Sequence, residues 1–408
     1  MNSQIEKRRL QAEITILNKD GSPLANRLVS VAQTRHKFLF GTAAFDTVPL
    51  ANGEYNGQEL ELAQQRADKL TALFNAATLP FYWGQFEPVR GQPRTEPLRR
   101  ATQWCIDHGL TVKGHPLTWH TLAPGWLLPL SNPEILQAQQ ARIRREVDGF
   151  IGLIDMWDVI NEAVIMPVFD RYDNGLTRLC KEMGRIRLIK TVFETARAEN
   201  PGAVLLINDF DTSVAYDILV EGCLEAGIKI DIIGIQSHMH QGYWGVEKTH
   251  EILERFGRFG LPLHFTESTL VSGRLMPPEI VDLNDYQVAD WPSTPEGEER
   301  QAREVILHYE TLFAHPLVES ITWWDMQDGN WLNAPGGLIR RDGSGKPAYD
   351  ELLKRVKGEW WLAPLETATG ADGRVRFSGF PGVYEVAVDG VRKTVSLERG
   401  KEKVEISM

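Results

Sequence analysis

The sequence lacks the means for several common designs. Only three cysteines occur in 408 residues, Cys105, Cys180 and Cys223. That odd number and wide spacing exclude a disulfide framework and a thiolate zinc cluster, and the three read as small buried thiols. No apolar run approaches membrane-spanning length. Positive charge is in deficit, with 44 Lys plus Arg against 55 Asp plus Glu and a net charge of -11. An acidic chain repels nucleic acid and anionic lipid, and its field does not draw in phosphorylated substrates. The expected partner is neutral, with no nucleic acid and no membrane. The N-terminus, MNSQIEKRRLQAEITI, lacks the apolar core of a signal peptide. The expectation is a cytoplasmic protein if Met1 is native, or a secreted one whose signal has been removed.

What is present is an ordinary globular composition, 42% apolar and 24% charged. Twelve tryptophans stand out. Many sit beside glycine, proline or turn signals, where aromatic faces can stack on the apolar C–H faces of sugar rings. Core packing is expected for about half of them.

Short apolar runs alternate with amphipathic stretches from about residue 38 to 357. The runs are FLFGTA (38–43), ALFNAAT (72–78), TVKGHPL (111–117), MWDVINE (156–162), VLLINDF (204–210), IIGIQSH (232–238), LHFTEST (263–269) and SITWWDM (320–326). Helical stretches lie between them, at 57–70, 132–149, 178–199, 213–226 and 296–314. At SNPEIL, Asn132 suits a cap, Pro133 the first turn and Glu134 the helix dipole. Eight strands alternating with helices predict a (β/α)8 barrel over 37–359. A doubly wound sheet would bring a glycine-rich phosphate turn after an early strand, and none is present. The ends, 1–36 and 360–408, read as short strands and glycine turns. Together they predict one small β-sandwich, which barrel closure permits by bringing the first and eighth strands side by side. Without a tryptophan array in 373–408, it reads as a brace.

Most barrel runs end in polar groups: His115, Glu162, Asp209, His238, Glu267 and Asp325. Active residues of such barrels sit at the C-terminal ends of the strands. Two of them, Glu162 on the fourth strand and Glu267 on the seventh, face each other across the predicted mouth. Glycosidic cleavage needs such a pair, one acid for the leaving oxygen and one carboxylate to attack or to activate water. Asn161, beside Glu162, suits a sugar hydroxyl.

The motifs GHPLTWH, WDVINEA, IIGIQSH and ITWW resemble glycoside hydrolase family 10, retaining endo-β-1,4-xylanases of the (β/α)8 type, over about 37–350. The resemblance implies Glu162 as general acid/base and Glu267 as nucleophile. It places Asn161 on the sugar 2-hydroxyl and His115 and Trp119 around the attacked sugar. Gln236 and His238 fall near the nucleophile, and Trp324 and Trp331 form aromatic walls. No cofactor and no metal is implied. Retention implies carboxyl groups roughly 5–5.5 Å apart, Glu162 protonated and Glu267 ionised.

Three departures from the family follow. Its Glu-Asn pair and Lys on the second strand, which grip sugars on the non-reducing side, are replaced in ATLPFYWGQFEP. With Trp83 on the family Trp, Thr78 and Leu79 replace the pair and Tyr82 the Lys, so Tyr82 and Trp83 are candidate sugar contacts on a rebuilt glycone side. The family Glu-x-Asp becomes Glu267-Ser268-Thr269, which removes an anionic neighbour of His238 and implies a changed pH profile. His115-Pro116 implies a cis peptide. Two other readings compete. His238 and His240, with His115 and His120, suggest a metal-dependent barrel hydrolase. The altered glycone side suggests a non-catalytic carbohydrate binder.

Overall fold

Alternating burial shapes the first strand. In LQAEITIL the side chains of Leu10, Ala12, Ile14 and Ile16 are buried, giving β1 (Leu10–Leu17). The computed structural model describes residues 3–408, so Met1 and Asn2, with the localisation expectation attached to Met1, lie outside the described residues. After the Asp20-Gly21 turn comes β2 (Leu28–His36). The barrel strands follow: β3 (Leu39–Ala43), β4 (Ala76–Pro80), β5 (Thr111–His115), β6 (Met156–Asn161), β7 (Val204–Asp209), β8 (Ile232–Met239), β9 (Leu263–Leu270) and β10 (Val318–Trp323). They close in the order β10-β3-β4-β5-β6-β7-β8-β9, with β3 against β10. Both faces of these strands are covered, which explains their near-continuous apolar runs.

Three local expectations shift. The second run starts later than 72–78 because Ala63, Ala67, Leu70 and Leu73 form one buried helical face, so the preceding helix runs Gly57–Leu73. The stretch 178–199 is two helices, Gly175–Met183 and Arg185–Glu199, broken at Gly184 with φ +80°. The cap at SNPEIL is Ser131 rather than Asn132, with Ser131 N–H and Oγ both donating to Glu134 Oε2, at 2.8 and 2.6 Å. The His115–Pro116 peptide is cis, as expected.

The chain ends in β11 (Leu365–Ala368), β12 (Arg374–Gly379), β13 (Gly382–Val388), β14 (Val391–Leu397) and β15 (Lys403–Ser407). With the N-terminal strands they form two sheets, β12-β1-β15 and β11-β2-β13-β14. The sheets share a core that includes Ile14, Ile16, Val29, Val31 and Val386. Thus β1 and β2, neighbours in sequence, belong to different sheets. Arg8 ties this unit to the barrel. Its guanidinium lies 5.0 and 4.9 Å from the rings of Phe38 and Phe313 and donates to the Val318 carbonyl at 2.6 Å. Phe38 and Val318 stand where β3 and β10 begin, so the sandwich abuts the face opposite the strand ends.

Candidate active site

The strands that carry the two glutamates are each irregular just before them. Between β8 and β9 the register runs Ile235↔Phe265, then Gln236↔Glu267, leaving Thr266 as an extra residue. Between β6 and β7 it runs Asp158↔Leu206, then Ile160↔Ile207, leaving Val159 extra. Such bulges re-aim side chains. Glu162 follows the end of β6 at φ +55°, and its N–H donates to the Asn208 carbonyl at 2.8 Å.

One cleft of about 900 Å³ at the strand ends takes in ten predicted residues: Tyr82, His115, Trp119, Asn161, Glu162, Gln236, His238, Glu267, Trp324 and Trp331. Trp83 is the exception and a correction. It is 4% exposed and outside the cleft lining. Its Nε1–H donates to Glu87 Oε2 at 3.0 Å, and the Arg142 guanidinium lies 5.0 Å from its ring. The turn after β4 points Tyr82 into the cleft and buries its neighbour. Thr78 and Leu79 are likewise buried and outside the lining.

Amide groups join the two carboxyls. Asn208 Nδ2 donates to Glu267 Oε1 at 2.9 Å and to Asn161 Oδ1 at 2.8 Å. Gln236 Nε2 donates to Asn161 Oδ1 at 3.1 Å and to Glu162 Oε1 at 3.3 Å. Trp119 Nε1–H holds Glu162 Oε2 at 2.8 Å. Burial is the main force raising the Glu162 carboxyl to about 8; the Trp119 bond opposes it, and the charges of Glu267 and Asp209 add to it. Glu267 moves the other way. Burial works against its ionisation, but the charge of His115, the bond and charge of His238, and Lys113 outweigh it and hold Glu267 below its ordinary value.

His115 is oriented from behind. Asp158 Oδ2 lies 2.7 Å from His115 Nδ1 and 2.7 Å from Lys113 Nζ, and His115 Nε2 is 3.9 Å from Glu267 Oε1. His238 has Nε2 3.0 Å from Glu267 Oε2 and Nδ1 3.2 Å from Thr269 Oγ1. A threonine hydroxyl therefore stands beside His238 at the position where the family pattern has an aspartate. Half of the tryptophans, Trp83, Trp157, Trp291, Trp323, Trp324 and Trp360, are buried. Trp119, Trp244, Trp324 and Trp331 wall the cleft.

Sequence reasoning missed Asn208, Asp158 and Lys113. Signals existed for two of them. Asn208-Asp209 ends its strand with the same amide-acid pair as Asn161-Glu162, and Asp158 is a charge inside an apolar run. The histidines proposed as a metal set do not converge. His240 is buried and far less basic than usual, at about 3, because of burial and the nearby His238. Among the described residues no group of three or more His, Cys, Asp or Glu side chains is placed to hold a metal ion.

The sequence pattern of glycosyl hydrolase family 10 matches residues 32–355. The chain belongs to that family. It is a glycoside hydrolase. Endo-1,4-β-xylanase B of Thermotoga neapolitana is 29% identical over 196 residues, which cover 45% of this chain and 54% of that protein. The match therefore spans about half the length of that relative. Endo-1,4-β-xylanase A of Caldicellulosiruptor saccharolyticus is 26% identical over 288 residues, 64% of this chain and 78% of that one. A solved GH10 structure from Paenibacillus barcinonensis aligns with a TM-score of 0.64 at 23% identity, covering 78% of this chain and 95% of that one. At that identity the likeness speaks for the fold.

Proposed function

We propose that this family 10 chain is a retaining hydrolase of β-1,4-linked xylan or related β-linked oligo- and polysaccharides. The relatives named endo-1,4-β-xylanase support the substrate class. One observation carries the mechanism: two carboxyls share one cleft, with Glu162 raised to about 8 and Glu267 lowered. At neutral pH the first keeps its proton and the second its charge.

Glu162 gives its proton to the glycosidic oxygen as the bond from that oxygen to the anomeric carbon breaks. A Glu267 oxygen bonds to the same carbon, forming a glycosyl ester. That ester removes the Glu267 charge, and with it part of the force raising Glu162. Glu162, now anionic, takes a proton from water as the oxygen of that water attacks the anomeric carbon. The ester bond breaks, its electron pair returns to Glu267, and the sugar leaves with its original configuration.

The glycone side is rebuilt. Tyr82 brings a neutral phenol, held protonated by burial and then by the charges of Glu267, Glu162 and Asp325. Ala43, Ala44 and Phe45 line the cleft nearby. Charge-assisted contacts to the distal sugar are fewer, each worth about 1.5–3 kcal/mol, so related β-linked oligo- and polysaccharides stand beside xylan as substrates. The test uses chromogenic aryl β-xyloside and β-glucoside with Glu267→Ala. Turnover is expected to vanish and azide to restore an α-glycosyl azide. Near-normal hydrolysis by that variant removes Glu267 from the role.

A further inference from the structure

The turn that carries Glu162 is held on two sides by groups that the chemistry does not use. Glu162 has φ +55°, a conformation that L-residues rarely adopt and that surrounding structure must enforce. Its carbonyl accepts from Met166 N–H at 3.2 Å. Two residues on from Glu162, Val164 N–H donates to Asp209 Oδ2 at 3.0 Å. The other Asp209 oxygen accepts from Asp211 N–H at 3.1 Å. From the opposite side Arg185 Nε donates to the carbonyls of Ala163 and Val164, at 3.1 and 2.9 Å. Asp209 is fully buried at the tip of β7, one residue after Asn208, whose carbonyl holds the Glu162 N–H.

We propose that Asp209 is the positioning residue for the proton-donating Glu162, clamping the 162–164 turn against Arg185 so that the Glu162 carboxyl meets Trp119 and Gln236. This rests on Glu162 being the acid/base. Both Asp209 oxygens accept backbone N–H groups. An asparagine offers one acceptor oxygen and turns its NH₂ toward the other N–H, so even this near-isosteric change releases one side of the turn. Burial raises the Asp209 carboxyl itself to about 7, and in its ionised form its charge adds to the force that keeps the Glu162 proton.

The test separates loss of proton donation from general damage. In Asp209→Asn, kcat/KM on an unactivated xylo-oligosaccharide is expected to fall about 10- to 100-fold, part of what a general acid contributes. On a 2,4-dinitrophenyl β-glycoside, whose leaving group departs without a proton, kcat/KM stays within about twofold. Turnover of the glycosyl-enzyme still needs Glu162 as base, so kcat on that substrate drops and added azide raises it again. Arg185→Met loosens the turn from the part-exposed side and gives the same split even if Asp209→Asn fails to fold. Equal loss on both substrates without azide rescue, or no loss on either, overturns the inference alone. Wild-type protein inert toward every glycoside overturns the functional reading and this inference with it.

Discussion

Asn208 places one amide nitrogen 2.9 Å from Glu267 Oε1, and the same nitrogen reaches Asn161 Oδ1 at 2.8 Å. Its own Oδ1 accepts from Thr266 Oγ1 at 2.5 Å, which fixes the amide orientation. Thr266 is the extra residue of the β9 irregularity. The bulge that turns Glu267 into the cleft thus also supplies the group that aims Asn208 at it. Asn208→Ala removes a hydrogen bond to a charged acceptor, worth about 1.5–3 kcal/mol. We expect kcat/KM to fall roughly 10- to 150-fold at that energy. Steady-state kinetics on an aryl β-xyloside measures it, and an unchanged kcat/KM would take Asn208 out of the network.

The pH profile follows from the two shifts. Activity needs Glu267 ionised, and its carboxyl lies below the ordinary value, so the acid limb of kcat/KM falls below the usual glutamate range. Activity also needs Glu162 protonated, so the alkaline limb falls as pH rises through about 8. The plateau spans neutral pH. The two limbs belong to the coupled pair. An alkaline limb near the ordinary glutamate value of about 4.3 would contradict the raised Glu162.

Trp83 gives a contrast between packing and binding. It is buried under Arg142, whose guanidinium donates to the Pro116 carbonyl at 3.2 Å. Trp83→Ala is expected to cost about 3–5 kcal/mol of stability, with KM for oligosaccharides unchanged in the folded protein. Trp324→Ala, on a cleft wall, is expected to raise KM. Denaturant unfolding and kinetics on both variants separate the roles.

Gly114 has no room for a side chain. A Cβ there would lie 2.1 Å from Cζ3 of the fully buried Trp157. Gly114→Ala is expected to destabilise by about 1–3 kcal/mol or more through overpacking. Because Gly114 precedes His115, activity should fall with it. A melting temperature equal to wild type would show that the β5–β6 wall yields more easily than its packing implies.

The carboxyl pair was legible in the sequence because the motifs around the two glutamates are specific in combination; either glutamate alone reads as a solvated strand end. The eight strands were legible for a similar reason: doubly covered strands must be apolar along their length. Asn208 was not, since an amide beside an acid has no fixed direction until its neighbours set one. Trp83 was misplaced because adjacent residues in a turn, Tyr82 and Trp83, differ in direction and only packing decides which one faces the ligand.

Local chemistry in the chain by itself determined the alternation of strands and helices, the two β-rich ends and the two acids that meet over the cleft. The tertiary structure alone decided the strand irregularities at Thr266 and Val159, the separation of β1 and β2 into different sheets, and the partners that push Glu162 and Glu267 apart in proton affinity. The physical reason is one of range. Burial pattern is set by neighbours along the chain, whereas register, side-chain aim and electric field are set by groups that only closure of the barrel brings together.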